Sequence, residues 1–231
     1  MNSTQSTYHS KIYRDFRAIA AGDWRTIVRF YEECEKDIRE LDFDEYFEVL
    51  TAYTHALFET ATYTKHITFA DRVIEISVMN NIKFFQGEDV FQKMLFKKAA
   101  SLYHSDEFDK ADYHLRELLR INPANRDACL FLKKCLRRMK PSFVRQTRAA
   151  AVFFFLMSAL LICLEMILVR PFYQAQIGVV ELSRNALFLL GFGILAGGEA
   201  AHYLKTQREV HAFVSGIRRQ KRRKKSANAE V

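Results

Sequence analysis

The sequence contains few residues that break helices. Its 231 residues include only 3 prolines and 8 glycines, and five of those glycines lie in or between two apolar runs near the C-terminal end. Residues 1–140 therefore have almost no turn signals of the strand-and-hairpin kind. The scarcity of such signals predicts an all-α chain whose helices are joined by short connections.

The cysteines and histidines form no framework for disulfides or metals. The four cysteines are Cys34, Cys129, Cys135 and Cys163, and no two of them stand in CxxC spacing. The histidines are scattered, without metal-ligand spacing to a cysteine or to one another. We therefore expect no disulfide, no metal site and no cofactor.

Motifs for catalysis and phosphate binding are also missing. The sequence has no GxGxxG, GxxxxGK[ST], HExxH or GxSxG pattern. His55 and Glu59 form one i,i+4 pair, which is more often a surface contact than an active site. The polar N-terminal stretch lacks the apolar segment of a signal peptide. We expect a protein that is not an enzyme and whose N-terminal region is not exported.

Two long apolar runs are the strongest positive signal. Residues 149–169 (AAAVFFFLMSALLICLEMILV) and 186–204 (ALFLLGFGILAGGEAAHYL) each contain a single charged residue. At about 1.5 Å per residue they span roughly 31 and 28 Å, close to the thickness of a bilayer core. The sequence therefore predicts transmembrane helices at 149–169 and 186–204, joined by the loop 170–185 into a hairpin.

Basic residues flank both outer ends of this predicted hairpin and are scarce at its tip. The loop carries only Arg170 and Arg184, whereas the joint at 141–148 and the tail at 205–231 are basic. By the positive-inside rule we expect both termini in the cytoplasm and the loop outside, in an integral membrane protein of the bacterial inner membrane.

The basic residues near the membrane are expected to contact anionic lipid headgroups. This attraction contributes about 1 kcal/mol for each nearby basic side chain. Nucleic-acid binding by the KRRKK cluster is the less favoured alternative. The residues concerned are Arg137, Arg138, Lys140, Arg145, Arg148, Arg218, Arg219, Lys221, Arg222, Arg223, Lys224 and Lys225.

Two features of the apolar runs go beyond a simple anchor. Gly193, Gly197 and Ala201 are spaced by four, a pattern that lets helix backbones pack closely against the first membrane helix or a second copy of the chain. Glu165 and Glu199 are carboxylates inside membrane segments and therefore candidate functional residues. Because both lie near helix ends, snorkelling toward water competes with oligomer contacts and ion passage.

The region before the membrane segments contains three related stretches, at about 8–40, 51–81 and 92–125. Their anchor positions Ile27, Ala70 and Ala111 are 43 and 41 residues apart. In the last stretch, the first helix contains the small Ala99 and the aromatic Tyr103. The second helix begins with Phe108 and Ala111 and ends with Leu119 and Pro123. This pattern resembles the tetratricopeptide repeat, a helix–turn–helix unit of 34 residues.

The resemblance implies an α-solenoid over residues 1–140, closed by a capping helix at 125–140. It also implies a partner-binding groove lined by the first helix of each pair. Ala100 and Glu59 stand where the family's carboxylate clamp would need asparagine, so a chaperone tail is not the expected ligand. The groove positions are His55, Glu59, Tyr63, Phe96, Lys97, Ala100, Tyr103 and His104.

Two functions remain open at this point. The first is a membrane-anchored adaptor that binds a protein partner at the cytoplasmic face; a net charge of −5 over residues 1–125 mildly favours a basic partner. The alternative is an oligomerising effector, a pore or leak that the repeat domain senses or assembles, as in stress or defence systems. The aromatic groove favours the adaptor, and the glycine stripe with the embedded acids favours the effector.

Overall fold

The computed structural model describes residues 10–139, 141–169 and 177–227, except the side chains at 224, 225 and 227. These residues form an all-α structure, as the scarcity of turn signals predicts, with ten α-helices, a π-helical segment and a two-stranded sheet. The chain divides into two compact units, Met1–Ala128 and Cys129–Val231. The α-helices are α1 Lys11–Arg17, α2 Trp24–Glu33, α3 Glu35–Arg39, α4 Phe43–Glu59, α5 Tyr63–Met79, α6 Val90–His104, α7 Phe108–Ile121, α8 Arg126–Arg138, α9 Ser142–Leu164 and α10 Ile177–Ala227.

The longer helices of the first unit pack in succession, and only the short α3 is passed over. The packed pairs are α2 on α4, α4 on α5, α5 on α6 and α6 on α7. The core is rich in aromatic rings. The rings of Tyr31 and Tyr53 stack at 3.9 Å between centroids, and the ring of Phe69 meets that of Tyr53 edge-on at 4.8 Å. Apolar side chains such as Leu50 and Leu57 are fully buried between these helices.

Two turns of the first unit have the same geometry. The connection from α4 to α5 and that from α6 to α7 each contain one residue with positive φ, Ala61 at 57° and Asp106 at 60°. In both, the following amide donates a hydrogen bond of 2.9 Å to the carbonyl five residues earlier. This is the bond that closes a helix end in the Schellman motif. The same bond also closes α5, where Asn81 has a φ of 55° and the amide of Ile82 donates to the carbonyl of Ser77 at 2.8 Å.

The predicted alignment of the stretches was displaced by one helical turn. Tyr63 and Phe108 both begin the second helix of a pair, so the two pairs are 45 residues apart in sequence. His66 and Ala111 thus each stand three residues after the start of their helix, and Ala70 lies one turn further on. Both His66 and Ala111 are fully buried. The prediction went wrong because it searched for a small residue where the structure holds a histidine.

A short β-hairpin joins α5 to α6, where we expected only helices and short connections. Its strands, β1 Phe84–Phe85 and β2 Glu88–Asp89, pair antiparallel. Gln86 and Gly87 form the turn with φ of 50° and 81°, as a type I′ turn requires. Asp89 then caps α6 by accepting a hydrogen bond from the amide of Gln92.

In the second unit, α9 and α10 pack along each other in opposite directions. Phe155 and Thr147 of α9 lie against Gly191 and Gly198 of α10, respectively. The apolar part of α9 ends in the π-helical segment Glu165–Val169. α10 is continuous over 51 residues, a length of about 76 Å at 1.5 Å per residue.

The helices extend beyond the predicted segment bounds. Residues 142–148 of the predicted joint belong to α9, and residues 177–185 of the predicted loop and 205–227 of the predicted tail belong to α10. Residues 170–176 lie outside the described part of the chain. Residues 125–140, predicted as a capping helix of the first domain, contain α8, in which Leu132 and Cys135 are buried; from Cys129 onward α8 belongs to the second unit.

Candidate functional site

The predicted groove contains a compact cluster on α4 and α6. The Lys97 ammonium lies 3.4 Å from Glu59 Oε1 and 4.8 Å from the centre of the Phe58 ring. His55 Nδ1 lies 3.6 Å from the same Glu59 oxygen. Burial lowers the pKa of Lys97, an effect that the Glu59 carboxylate opposes. The structure thus brings three of the predicted groove residues together as a half-buried polar cluster against an aromatic ring.

A second part of the groove consists of two stacked rings. Tyr63 at the start of α5 and His104 at the end of α6 stack at 4.8 Å with an angle of 10° between their planes. Phe96 is half-buried on α6. Tyr63 is likewise half-buried, and His104 is exposed.

Ala100 and Tyr103 are not groove residues, which corrects the prediction. Both are buried, and the Tyr103 ring meets that of Phe108 at 5.3 Å. The physical reason is that α6 packs against α5 and α7 at once. Its buried residues therefore run almost continuously along its C-terminal half, and little of that half is left to line a surface.

A cavity of about 460 Å³ lies beside His55 in the first unit. Its walls come from α1, the connection to α2, the first half of α2, one face of α4, the β-hairpin and α6. The α4 face is formed by Glu48, Thr51, Ala52 and His55, whose spacing places them on one side of the helix. The Trp24 indole stacks on His55 at 4.9 Å with 14° between the planes.

The charged side chains that line the cavity are paired within the chain. Arg17 contacts Glu48 at 2.8 Å, and Glu48 also accepts a 2.7 Å hydrogen bond from Tyr13. Burial and this carboxylate raise the pKa of Tyr13 to about 12. Lys93 forms an ion pair with Glu88. The cavity is therefore balanced in charge.

Two polar atoms on the α4 wall have no hydrogen-bond partner among the described residues. They are Thr51 Oγ1 and His55 Nδ1, and both are buried. Burial, followed by the charge of Lys97, lowers the pKa of His55 and thus keeps its imidazole neutral at neutral pH. Both atoms are closed off from solvent, and His55 Nδ1 lies 3.6 Å from Glu59 Oε1, so neither is open to a molecule in the cavity.

Glu165 and Glu199, the carboxylates of the two predicted membrane segments, each contact an arginine of the opposite helix. Glu165 on the α9 side is 1% exposed, and its Oε2 lies 2.9 Å from a guanidinium nitrogen of Arg184. Glu199 of α10 accepts hydrogen bonds from Arg148, one of them at 2.8 Å. Snorkelling to water is therefore not needed to explain either acid. Arg148, predicted to contact lipid, is engaged by Glu199.

The predicted glycine face does not pack on α9. Nothing within 4 Å would meet a Cβ at Gly193 or Gly197, and Ala201 is exposed. The close contacts are made by other glycines: a Cβ at Gly191 would lie 2.9 Å from the Phe155 ring, and one at Gly198 would lie 2.5 Å from a side-chain oxygen of α9. Sequence spacing alone does not tell which side of a glycine-rich helix faces its neighbour.

The predicted lipid-binding residues are mostly exposed. This holds for Arg137, Arg138, Arg145, Arg218, Arg219, Lys221, Arg222 and Arg223. The guanidinium of Arg137 also lies 4.5 Å from the centre of the Tyr203 ring. Lys140 and the side chains of Lys224 and Lys225 lie outside the described residues.

The cavity was missed by the sequence reasoning, and the arginine partners of the acids were overlooked. The cavity residues come from four separate segments, and no motif connects them. The sequence did contain a signal for the ion pairs. In two antiparallel helices, Arg148 lies at the same level along the helix axes as Glu199, and Arg184 lies at the same level as Glu165. The described residues contain no group of three potential metal ligands. Comparison with protein-family models, curated proteins and solved structures found no match to the chain.

Proposed function

We propose that this chain is a membrane-anchored helical-repeat adaptor that binds a protein partner at the cytoplasmic face of a membrane. The proposal rests on the observation that the two units present different kinds of surface. The first presents an aromatic groove with an adjoining cavity, and the second presents two long helices with outward-facing apolar side chains.

Exposure of large apolar side chains supports the membrane assignment. Two helices, Ser142–Val169 and Ile177–Arg223, are long and apolar enough to cross a membrane, and only 11% and 6% of their most apolar windows are buried. A core helix of a soluble protein would be mostly buried. Exposed apolar surface on this scale is characteristic of contact with lipid or another protein. We infer a two-pass hairpin with both termini in the cytoplasm, in a bacterial inner membrane.

The basic residues near the start of α9 are the better candidates for lipid headgroup contact. Arg137, Arg138 and Arg145 are exposed there. Arg218 lies 14 residues beyond Leu204 along the continuous α10, about 21 Å at 1.5 Å per residue. The headgroup layer on each side is only about 5–8 Å thick. A steeply oriented α10 thus carries the distal basic cluster beyond the lipid surface.

The repeated turns support the solenoid assignment. The α4–α5 and α6–α7 connections are both three residues long, and each leads into a helix that begins with an aromatic residue, Tyr63 or Phe108, as expected of repeats of one unit. We therefore propose a tetratricopeptide-like array in the first unit. Its groove side would hold the partner through Tyr63, His104 and the Lys97 cluster.

The ion pairs of the second unit favour the adaptor over the pore. Glu165 and Glu199 both contact arginines of the opposite helix, so these carboxylates are already neutralised within one chain. A carboxylate paired within one chain needs neither a water-filled path nor a second copy of the chain to offset its charge. The outward face with Gly193, Gly197 and Ala201 remains a candidate for packing against a second copy of the chain.

Co-purification from membranes tests the adaptor. The full chain should recover a stable partner, identified by mass spectrometry, and Tyr63→Ala with His104→Ala should lose it. Tyr113→Ala is the control, since Tyr113 is exposed on α7, where its hydroxyl donates to Glu117 and its ring lies 5.3 Å from that of His114. Expression with a membrane-potential dye tests the alternative: depolarisation that Gly197→Leu abolishes would overturn the pure adaptor.

A further inference from the structure

The far end of α10 carries a dense and exposed positive charge. Residues 218–225, which we call the basic end, comprise seven basic residues and one glutamine, with no acidic or apolar residue. Their positions, spaced at about 100° per residue, surround the helix axis. The basic end therefore has no apolar face. Its basic residues whose side chains the structure describes are all exposed: Arg218, Arg219, Lys221, Arg222 and Arg223.

Anionic lipid is a poor match for the basic end. In the proposed orientation Arg218 lies about 21 Å beyond Leu204, whereas the headgroup layer is about 5–8 Å thick. The potential of an anionic membrane surface falls off within one Debye length, which is about 8 Å at physiological ionic strength. Helices that lie in the membrane interface also need an apolar face opposite the charged one, and the basic end has none. Lipid would therefore attract the basic end only weakly.

The linear charge density of the basic end equals that of double-stranded DNA, with the opposite sign. Seven positive charges over eight residues, about 12 Å of helix, give one charge for about every 1.7 Å. Double-stranded DNA carries one negative charge for about every 1.7 Å of its axis. Its major groove is about 12 Å wide and admits an α-helix, whose diameter with side chains is about 10–12 Å. Charge density and width therefore both fit a DNA duplex.

The residue types of the basic end favour contacts with phosphate. Four of its seven basic residues are arginines, whose planar guanidinium groups bind phosphate oxygens through two parallel hydrogen bonds. Residues 218–231 contain no aromatic residue on which the bases of a single strand could stack. Contacts with phosphate carry no sequence information. The composition therefore favours a duplex, bound through its backbone.

We propose that the basic end of α10 binds the phosphate backbone of double-stranded DNA, independently of base sequence. This activity adds a second ligand to the adaptor, since the first unit would hold the protein partner and the second unit would hold DNA. The access of the basic end to DNA rests on the proposed cytoplasmic orientation of α10. The affinity for DNA depends only on the basic end and is measurable without a membrane.

Fluorescence anisotropy of a fluorescein-labelled DNA duplex measures this binding with the full chain in a nonionic detergent. We expect saturable binding with equal affinity for two duplexes of unrelated sequence. If the basic end neutralises about five phosphates, doubling the salt concentration should weaken the binding about 20-fold, because the logarithm of the association constant falls with a slope of about −4.5 against the logarithm of the salt concentration. A single strand of the same length should bind more weakly and with a shallower slope.

Charge-matched variants separate the basic end from the net charge of the chain. Arg222→Gln with Arg223→Gln should make the salt slope shallower by about 2, close to one for each lost phosphate contact. Arg138→Gln with Arg145→Gln is the matched control, because it removes the same charge from exposed positions near the start of α9 and should leave the slope unchanged. Equal slopes in the two variants, equal affinity for the single strand, or no binding of the duplex would overturn the proposal.

Lipid nanodiscs distinguish DNA from lipid as the ligand of the basic end. Binding of the duplex should persist when anionic phosphatidylglycerol replaces a minor share of the phosphatidylcholine in the disc, because the basic end lies beyond the headgroups. Binding that disappears in the anionic discs would assign the basic end to lipid and overturn the proposal. The co-purification test of the adaptor depends on Tyr63 and His104 of the first unit, so each of these results leaves it standing.

Discussion

Acidification should destabilise the first unit through one buried histidine. His66 of α5 is fully buried, its Nδ1 lies 2.8 Å from Ser101 Oγ of α6, and the Phe58 ring of α4 lies 5.3 Å away. Burial is the main reason that its pKa falls from 6.5 to about 4, and the charge of Lys97 and the His55 ring act in the same direction.

The sign and size of the effect follow from proton linkage. The folded pKa of His66 lies below the unfolded one, so unfolding takes up a proton between the two values. The stabilising contribution is complete above about pH 6.5 and is lost progressively down to about pH 4. The fall in the pKa of His66 from 6.5 to about 4 corresponds to about 3 kcal/mol of unfolding free energy once the pH is below both pKa values. About 2.5 kcal/mol of this stability is lost between about pH 7.5 and about pH 4.5.

Urea unfolding of the full chain in detergent, followed by Trp24 fluorescence, measures the first unit alone. The double variant His66→Leu with Ser101→Ala replaces both polar partners by apolar groups, which limits the cost at neutral pH. Its free energy of unfolding should fall by about 2.5 kcal/mol less than that of the unmodified chain over the same pH interval. Ser101→Ala alone keeps the imidazole and is the control. Equal pH dependence in the unmodified chain and the double variant would refute the reasoning.

Two further predictions concern the packing of α9 against α10 and are read from melting temperatures in detergent. Gly198→Leu should destabilise the pair by about 1–3 kcal/mol through overpacking, whereas Gly216→Leu, with open space around its Cβ, should not lower the melting temperature. Arg184→Met should cost about 3–5 kcal/mol because it removes this guanidinium from the buried Glu165. Arg148→Met, in a half-exposed pair, should cost less than about 1 kcal/mol, so equal losses for the two arginines would contradict the burial argument.

The helical class and the two apolar helices were predictable because they depend on local composition and periodicity. The ends of those helices were not. An apolar window reports where lipid contact would stop, but α10 continues to Ala227 since no proline interrupts residues 177–227. The sequence did not predict the β-hairpin, because its turn signal is the single Gly87. This glycine follows glutamine and is not part of an Asn-Gly or Asp-Gly pair.

Residues of the candidate site were predictable only where they share a helix face. His55 and Glu59 lie one turn apart on α4, and the structure brings Lys97 of α6 to them. Trp24 reaches His55 from a different helix, a contact that depends on how α2 packs on α4. Sequence periodicity gives the facing side of a helix but not the neighbour that covers it.

The uninterrupted α10 would convert a small change in helix tilt into a large displacement of its far end. About 34 Å of helix separates Leu204 from Ala227 at 1.5 Å per residue. For a helix that crosses the bilayer as proposed, a change of about 10° in tilt moves the far end sideways by about 6 Å with no hinge or unfolding. Tilt responds to bilayer thickness. A change in bilayer thickness would thereby move the basic residues at the far end of α10, which lies in the cytoplasm in the proposed topology.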